Sequence, residues 1–147
     1  MSGILTHTPS EILLQLLIMQ GLVSEPSLDD EWPGFYNHHP VSPDDLVCVY
    51  DTAGTIQGKT HVDGETQSHD GFNIRIRSER TTDGFAKANM IYNKISPVTR
   101  FELKVDTSIY RIQSITFTSP VFSLGKDPES ESRLHTINGV ISVREVL

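Results

Sequence analysis

DDLVCVYDTAG at residues 44–54, GFNIRIRS at 71–78 and TTDGFAKANMIYNKI at 81–95 decide how this chain folds. In the first, Leu46, Val47, Cys48, Val49 and Tyr50 are near-continuously apolar, which fits a strand covered on both faces. In the second, Phe72, Ile74 and Ile76 alternate with Asn73, Arg75 and Arg77. That is a strand with one face on a core and a basic, wet face opposite. In the third, Phe85, Ala88, Tyr92 and Ile95 recur at helical spacing, which predicts one buried stripe with Lys87 and Lys94 facing out. Thr81 or Thr82 is expected to cap this helix, and Ser96-Pro97 stops it. Residues 55–70, polar and punctuated by Gly58 and Gly64, read as a long loop that is mobile at its tip in the isolated protein.

Toward the N-terminus, a helix is sharply delimited. Thr8 suits the N-cap, Pro9 the first helical position, Glu11 the third residue of a capping box, and Gly21 a left-handed terminator. Between them, Ile12, Leu13, Leu14, Leu16, Leu17, Ile18 and Met19 make the helix apolar nearly all round. Such a helix needs cover on more than one side. Either it is a central core helix, or Leu13 and Leu17 meet a neighbouring subunit.

Residues 24–45 form a second long loop with six acidic residues, no Lys or Arg, and four of the eight prolines. Proline at this density excludes regular structure. Trp32, Phe35 and Tyr36 lie within it. Clustered aromatics of this kind either pack back on the body or dock on another protein.

Toward the C-terminus the pattern is of strands. Phe101, Leu103 and Val105 alternate with polar residues, and IYRIQSITFT follows at 109–118. A third loop, SPVFSLGKDPESES at 119–132, leads to a last strand over 134–146, expected to pair antiparallel with the one before. Gly139 interrupts its alternation and suggests a bulge. The expected fold is α+β, a mostly antiparallel sheet flanked by two main helices with long loops. The 147 residues suit a single domain, 1–147.

Composition narrows the function. The apolar share, counted with glycine and without tyrosine, is about 41% against ~45–50% in typical domains, so association is expected to supply part of the stability. A net charge of −7 argues against a diffusing nucleic-acid partner, whose binding rests on Lys and Arg neutralising phosphates. It leaves room for a ring through which DNA slides. The single cysteine, Cys48, reads as a buried small hydrophobe. The apolar run at 12–19 is too short for a membrane span and lacks a basic leader, so a soluble, cytosol-made protein is expected.

Site chemistry finds little support. His38-His39 with Asp44 and Asp45 offers metal-ligand types without HxH or HxxxH spacing. Asp51, His61 and Ser68 make a triad only on paper, with no nucleophile elbow. Gly58-Lys59-Thr60 follows Gly54 one position too closely for a phosphate loop. Arg75, Arg77 and Arg80 form a basic row that could contact DNA, with salt bridging to acids of this chain or a neighbour as the preferred reading. No enzyme activity, metal or cofactor is expected. A small-ligand-binding cytosolic domain, with a pocket beneath the 24–45 loop and His38, His39 and Tyr36 as polar hooks, stands as the reading from a different class.

The order of elements is specific. The chain has an apolar first helix, then Trp32-Pro33 and Phe35-Tyr36. Pro43-Asp44-Asp45 leads into Val47-Cys48-Val49-Tyr50-Asp51-Thr52-Ala53-Gly54. The strand from Asn73 to Arg77 runs straight into a helix with Ala86, Ala88 and Ile91. Over most of 9–97 this pattern resembles the tail terminator proteins of long-tailed bacteriophages, also labelled minor capsid or tail completion proteins. The resemblance implies a hexameric ring that sits on the last ring of tail-tube protein and stops tube growth. It implies a surface for the head-completion protein, DNA passing through the lumen, and a place at the head-proximal end of the virion tail after assembly in the host cytoplasm. A head-completion or neck protein is the nearest alternative. Leu13, Leu17, Trp32, Phe35, Tyr36, Arg75 and Arg77 are the interface candidates.

Overall fold

A computed structural model describes residues 5–25, 32–37, 40, 45–59, 66–126 and 132–146. In chain order these form α1 (Pro9–Met19), β1 (Gly34–Tyr36), β2 (Leu46–Lys59), β3 (Thr66–Ser78), α2 (Thr81–Ile95), β4 (Thr99–Val105), β5 (Ser108–Phe117), β6 (Phe122–Lys126) and β7 (Arg133–Val146). One curled sheet runs β1-β2-β3-β7-β5-β4, with β6 paired to β7 beside β5. Every pairing is antiparallel except β1 with β2. The fold is α+β, as expected.

The helix α1 is built by its ends. Thr8 accepts a bond from the Glu11 N–H at 3.3 Å, and Pro9 occupies the first turn. At the other end Gly21 takes φ +74°, Leu22 N–H donates to the Leu17 carbonyl at 3.0 Å and Gly21 N–H to the Ile18 carbonyl at 3.0 Å. That is the paired Schellman closure. Leu13 and Leu17 are both 0% exposed in the single chain. The cover that α1 needs therefore comes from within the subunit. The sheet supplies one side. The segment after the helix supplies the other, with Leu22 and Val23 in the same core cluster. Gly34 lies so close to Leu14 and Val23 that a Cβ there would come 2.9 Å from Val23 Cγ2.

Two expectations about α2 are corrected. Its N-cap is Arg80, which makes no side-chain capping bond, rather than a threonine. Its buried stripe is Gly84, Ala88, Ile91 and Ile95: Ala88 and Ile95 are buried as expected, whereas Gly84 and Ile91 take the places expected of Phe85 and Tyr92. Close approach fixes this orientation: a Cβ on Gly84 would overlap Ser78 Oγ and come 3.0 Å from His135 Nδ1. Phe85 is consequently 48% exposed, its ring tilted toward His135. Tyr92, at the margin of the stripe, stacks on Phe117 with centroids 4.4 Å apart.

All three expected loops contain strands. Within 24–45, where proline is expected to exclude regular structure, Gly34–Tyr36 forms β1 between the prolines and pairs parallel with β2. β2 runs on to Lys59 and β3 begins at Thr66, so much of 55–70 is a paired hairpin; residues 60–65 lie outside the described residues. The third loop contains β6, which is exposed along its whole length. A ladder needs only backbone donors and acceptors, so these polar segments pair without a hydrophobic period to announce them. Gly139 is not a bulge. Its register with Phe72 is continuous, and the register shifts in this part of the sheet fall at Ile112/Ser114 and Ser123/Gly125.

Candidate interaction surfaces

Both helices cover the sheet face that carries Val47, Val49, Phe72, Ile74, Ile76 and Ile137. Strand alternation sends the intervening residues to the opposite face. Register aligns them in rows: Tyr50 beside Asn73 beside Asn138, Cys48 beside Arg75 beside Thr136, and Leu46 beside Arg77 beside Leu134. The two arginines of that face differ sharply. Arg75 is exposed, whereas Arg77 is 1% exposed, so the expected wet basic face is wet only at Arg75.

A polar lattice fixes Arg75. Asn73 Nδ2 donates to Thr136 Oγ1 and, at 2.7 Å, to Asn138 Oδ1. Asn73 Oδ1 accepts from Arg75 Nε at 2.9 Å, and the guanidinium sits 5.3 Å from the Tyr50 ring centroid. With Nε engaged and a ring beneath it, the guanidinium is held in one direction. The lattice floors an open groove of about 480 Å³, also lined by Asp51, Thr52, Phe122 and Leu124. Phe122 and Leu124 are 40% and 44% exposed. A directed cation beside exposed apolar side chains suits a protein surface presenting a carboxylate next to an apolar residue.

This face is chemically quiet. Burial, against the pull of the Tyr50 hydrogen bond, pushes the Cys48 thiol up to about 12. Burial first, then the neighbouring Cys48, likewise pushes Tyr50 up to about 12. Neither group is an anion near neutral pH, so neither is an activated nucleophile.

The aromatic segment packs back on the body. Ser24 N–H donates to the Trp32 carbonyl and Gly34 N–H to the Ser24 carbonyl, both at 3.0 Å, which pins Trp32 in place at φ +51°. The indole is half-buried against the core, with Lys87 Nζ 5.4 Å from its ring. Lys87, expected to face solvent, is thus half-buried, and burial lowers its pKa. Phe35 is half-buried and Tyr36 remains 40% exposed.

Asp51, a member of the paper triad, is instead a tie between three segments. It accepts from Ser10 N–H at 2.8 Å and Ser10 Oγ at 2.7 Å at the start of α1, and from Asn37 Nδ2 at 2.6 Å beyond β1. A carboxylate at a helix N-terminus is electrostatically favoured. His61 and the side chain of Ser68 lie outside the described residues, as do His38, His39 and Asp44. Asp45 accepts from the Glu79 N–H at 3.0 Å. Sequence reasoning missed the Ser10–Asp51–Asn37 tie because its members are far apart in the chain and no motif links them.

Among the described residues, no helix is long and apolar enough to cross a membrane. A comparison with curated proteins finds no match. The sequence profile of the bacteriophage tail terminator proteins matches residues 13–138, from within α1 to the middle of β7. That span holds both sheet faces, α2 and the aromatic segment: the chain belongs to the bacteriophage tail terminator family.

Proposed function

We propose that this chain is a tail terminator subunit, a structural protein of the virion. It closes into a homo-oligomeric, hexameric ring on the last ring of the tail-tube protein, stops tube polymerisation, and offers its far side to the head-completion protein. The single observation that supports this is the family match over 13–138. The 1–147 chain acts as one domain, without catalysis or cofactor, and DNA passes through the lumen without specific binding. The acidic net charge of −7 suits such a wall, because a lumen that bound phosphates would retard the genome.

Of the interface candidates, Tyr36 and Arg75 are the exposed ones, and the Arg75 groove with Phe122 and Leu124 is the proposed contact with a neighbouring subunit or the tube. Trp32 and Phe35 are half-buried on the body of the subunit. Leu13, Leu17 and Arg77, being enclosed, act through the fold rather than by touching a partner. The test is a phage carrying a conditional null allele of this gene. The expected phenotype is tails of uncontrolled length with heads left unjoined; tails of normal length joined to heads would refute the proposal.

A further inference from the structure

Charge is unevenly distributed between the two ends of the sheet. On β4, Arg100, Glu102 and Lys104 are exposed and alternate with the core-facing Leu103 and Val105. Register sets Arg111 of β5 beside Glu102, and Arg144 of β7 beside Arg111. Arg111 Nη2 donates to Glu102 Oε2 at 2.6 Å. These side chains form a corner of four cations around one carboxylate. Ile109, the register partner of Lys104, lies among them and is 42% exposed. Asp106, in the turn beyond Lys104, is engaged by His7 Nε2 at 3.0 Å.

The opposite end carries the reverse. Residues 24–45 hold six acidic residues and no Lys or Arg, and Leu28 is followed directly by Asp29, Asp30 and Glu31. Residues 26–31 lie outside the described residues, but both ends of this segment are placed at the β1 edge. Ser24 N–H donates to the Trp32 carbonyl and Gly34 N–H to the Ser24 carbonyl, both at 3.0 Å. An excursion of six residues between ends joined in this way reaches about 10 Å from its base.

Such a segment cannot meet the basic corner of its own chain. β1 and β4 are the two ends of the strand order. Along the strands, Gly34 is level with His135 through Val47 and Ile76. Arg144 lies nine residues further along β7, which is about 30 Å at ~3.3 Å per residue. The acidic segment and the basic corner are therefore diagonal from one another, and only a second copy can bring them together. We infer that residues 25–31 of one copy dock on the Arg100–Lys104–Arg111–Arg144 corner of the next. The inference rests on the ring reading above and names the contact that closes it.

The chemistry matches on both sides. Leu28 flanked by carboxylates meets Ile109 flanked by cations. A contact between unlike surfaces repeats head-to-tail, and closes into a ring when its rotation closes. At a net charge of −7 two copies repel in most orientations, so pairing the unlike corners selects one of them. Charge complementarity of this kind sets register and the rate of encounter more than it sets affinity, and reversal of one side replaces attraction by repulsion.

The test is a series of alleles in the phage that carries the conditional null. Arg100→Glu with Lys104→Glu, and separately Asp29→Lys with Asp30→Lys, should each reproduce the null phenotype while thermal melts of the purified chains show a folded protein. Both pairs on one chain exchange the two signs, and should restore tails of normal length joined to heads. Arg100→Gln with Lys104→Gln removes charge without reversing it and should cause a partial loss, so the result does not depend on the tolerance of reversed charges. A null that fails while either reversal pair gives normal tails overturns the contact and leaves the terminator reading standing. So does a combined chain that folds but fails. A null with normal tails overturns the terminator reading and the contact with it. DNA binding by the purified protein that Arg100→Glu with Lys104→Glu removes, with tail length unchanged, would assign the corner to nucleic acid and overturn the contact.

Discussion

Phe72 and Gly139 are register partners on adjacent strands, and the Phe72 ring occupies the space where a Cβ on Gly139 would stand. Phe72 Cε2 would lie 2.9 Å from that Cβ and the Thr116 carbonyl oxygen 2.7 Å. The glycine is there to let the ring lie flat across β7 and meet Phe117 edge-on at 5.8 Å. Gly139→Ala should therefore destabilise the protein by about 1–3 kcal/mol, through strain on a ring and on a backbone that cannot both move aside. Urea denaturation of the two proteins measures this directly.

Arg75 and Arg77, two residues apart on β3, should behave as opposites. Arg75 is exposed and holds one hydrogen bond to Asn73, so Arg75→Glu should cost no more than about 1–1.5 kcal/mol while weakening assembly. Arg77 is 1% exposed and has interaction partners, so Arg77→Glu should cost about 3–5 kcal/mol and yield little folded protein. Thermal melts paired with sedimentation of the assembled species separate the two effects.

Cys48 is 0% exposed, with its thiol pushed up to about 12. At pH 8 it should resist a thiol-titrating reagent in the native protein and react stoichiometrically in denaturant. Rapid native labelling would place the thiol outside the enclosed strand described above.

His135 is 2% exposed, its Nδ1 has no hydrogen-bond partner among the described residues, and burial lowers its pKa from the usual 6.5. The sign follows from proton binding. Below the ordinary value the unfolded chain takes up the proton more readily than the folded one, so stability falls as pH falls through about 6.5 and below. His135→Leu should flatten that part of the stability–pH curve. Urea midpoints of both proteins between pH 8 and pH 5 test this; parallel curves would assign the slope to other groups.

What the sequence revealed depended on which physical signal each element carries. α1 was legible because Thr8, Pro9 and Gly21 are local instructions. The core of β2 was legible from its continuous apolar run, and those of β3 and β7 from period-two alternation, signals that are local too. The rotation of α2 was not, since it is set by contacts of Gly84 with Ser78 and His135. The polar arms of the β2–β3 hairpin and β6 escaped because pairing leaves no mark on their side-chain pattern. At the surface, Arg75 was recognisable as a candidate, but nothing local separates it from Arg77. That distinction belongs to the tertiary fold.

The most direct test of terminator function is to add the purified protein to polymerising tail-tube protein of the same phage and measure tube lengths by electron microscopy. The account predicts that substoichiometric amounts shorten the tubes and that a labelled chain is found at tube ends only, with Arg75→Glu weaker in both respects. Tubes of unchanged length, with the label absent from their ends, would contradict it.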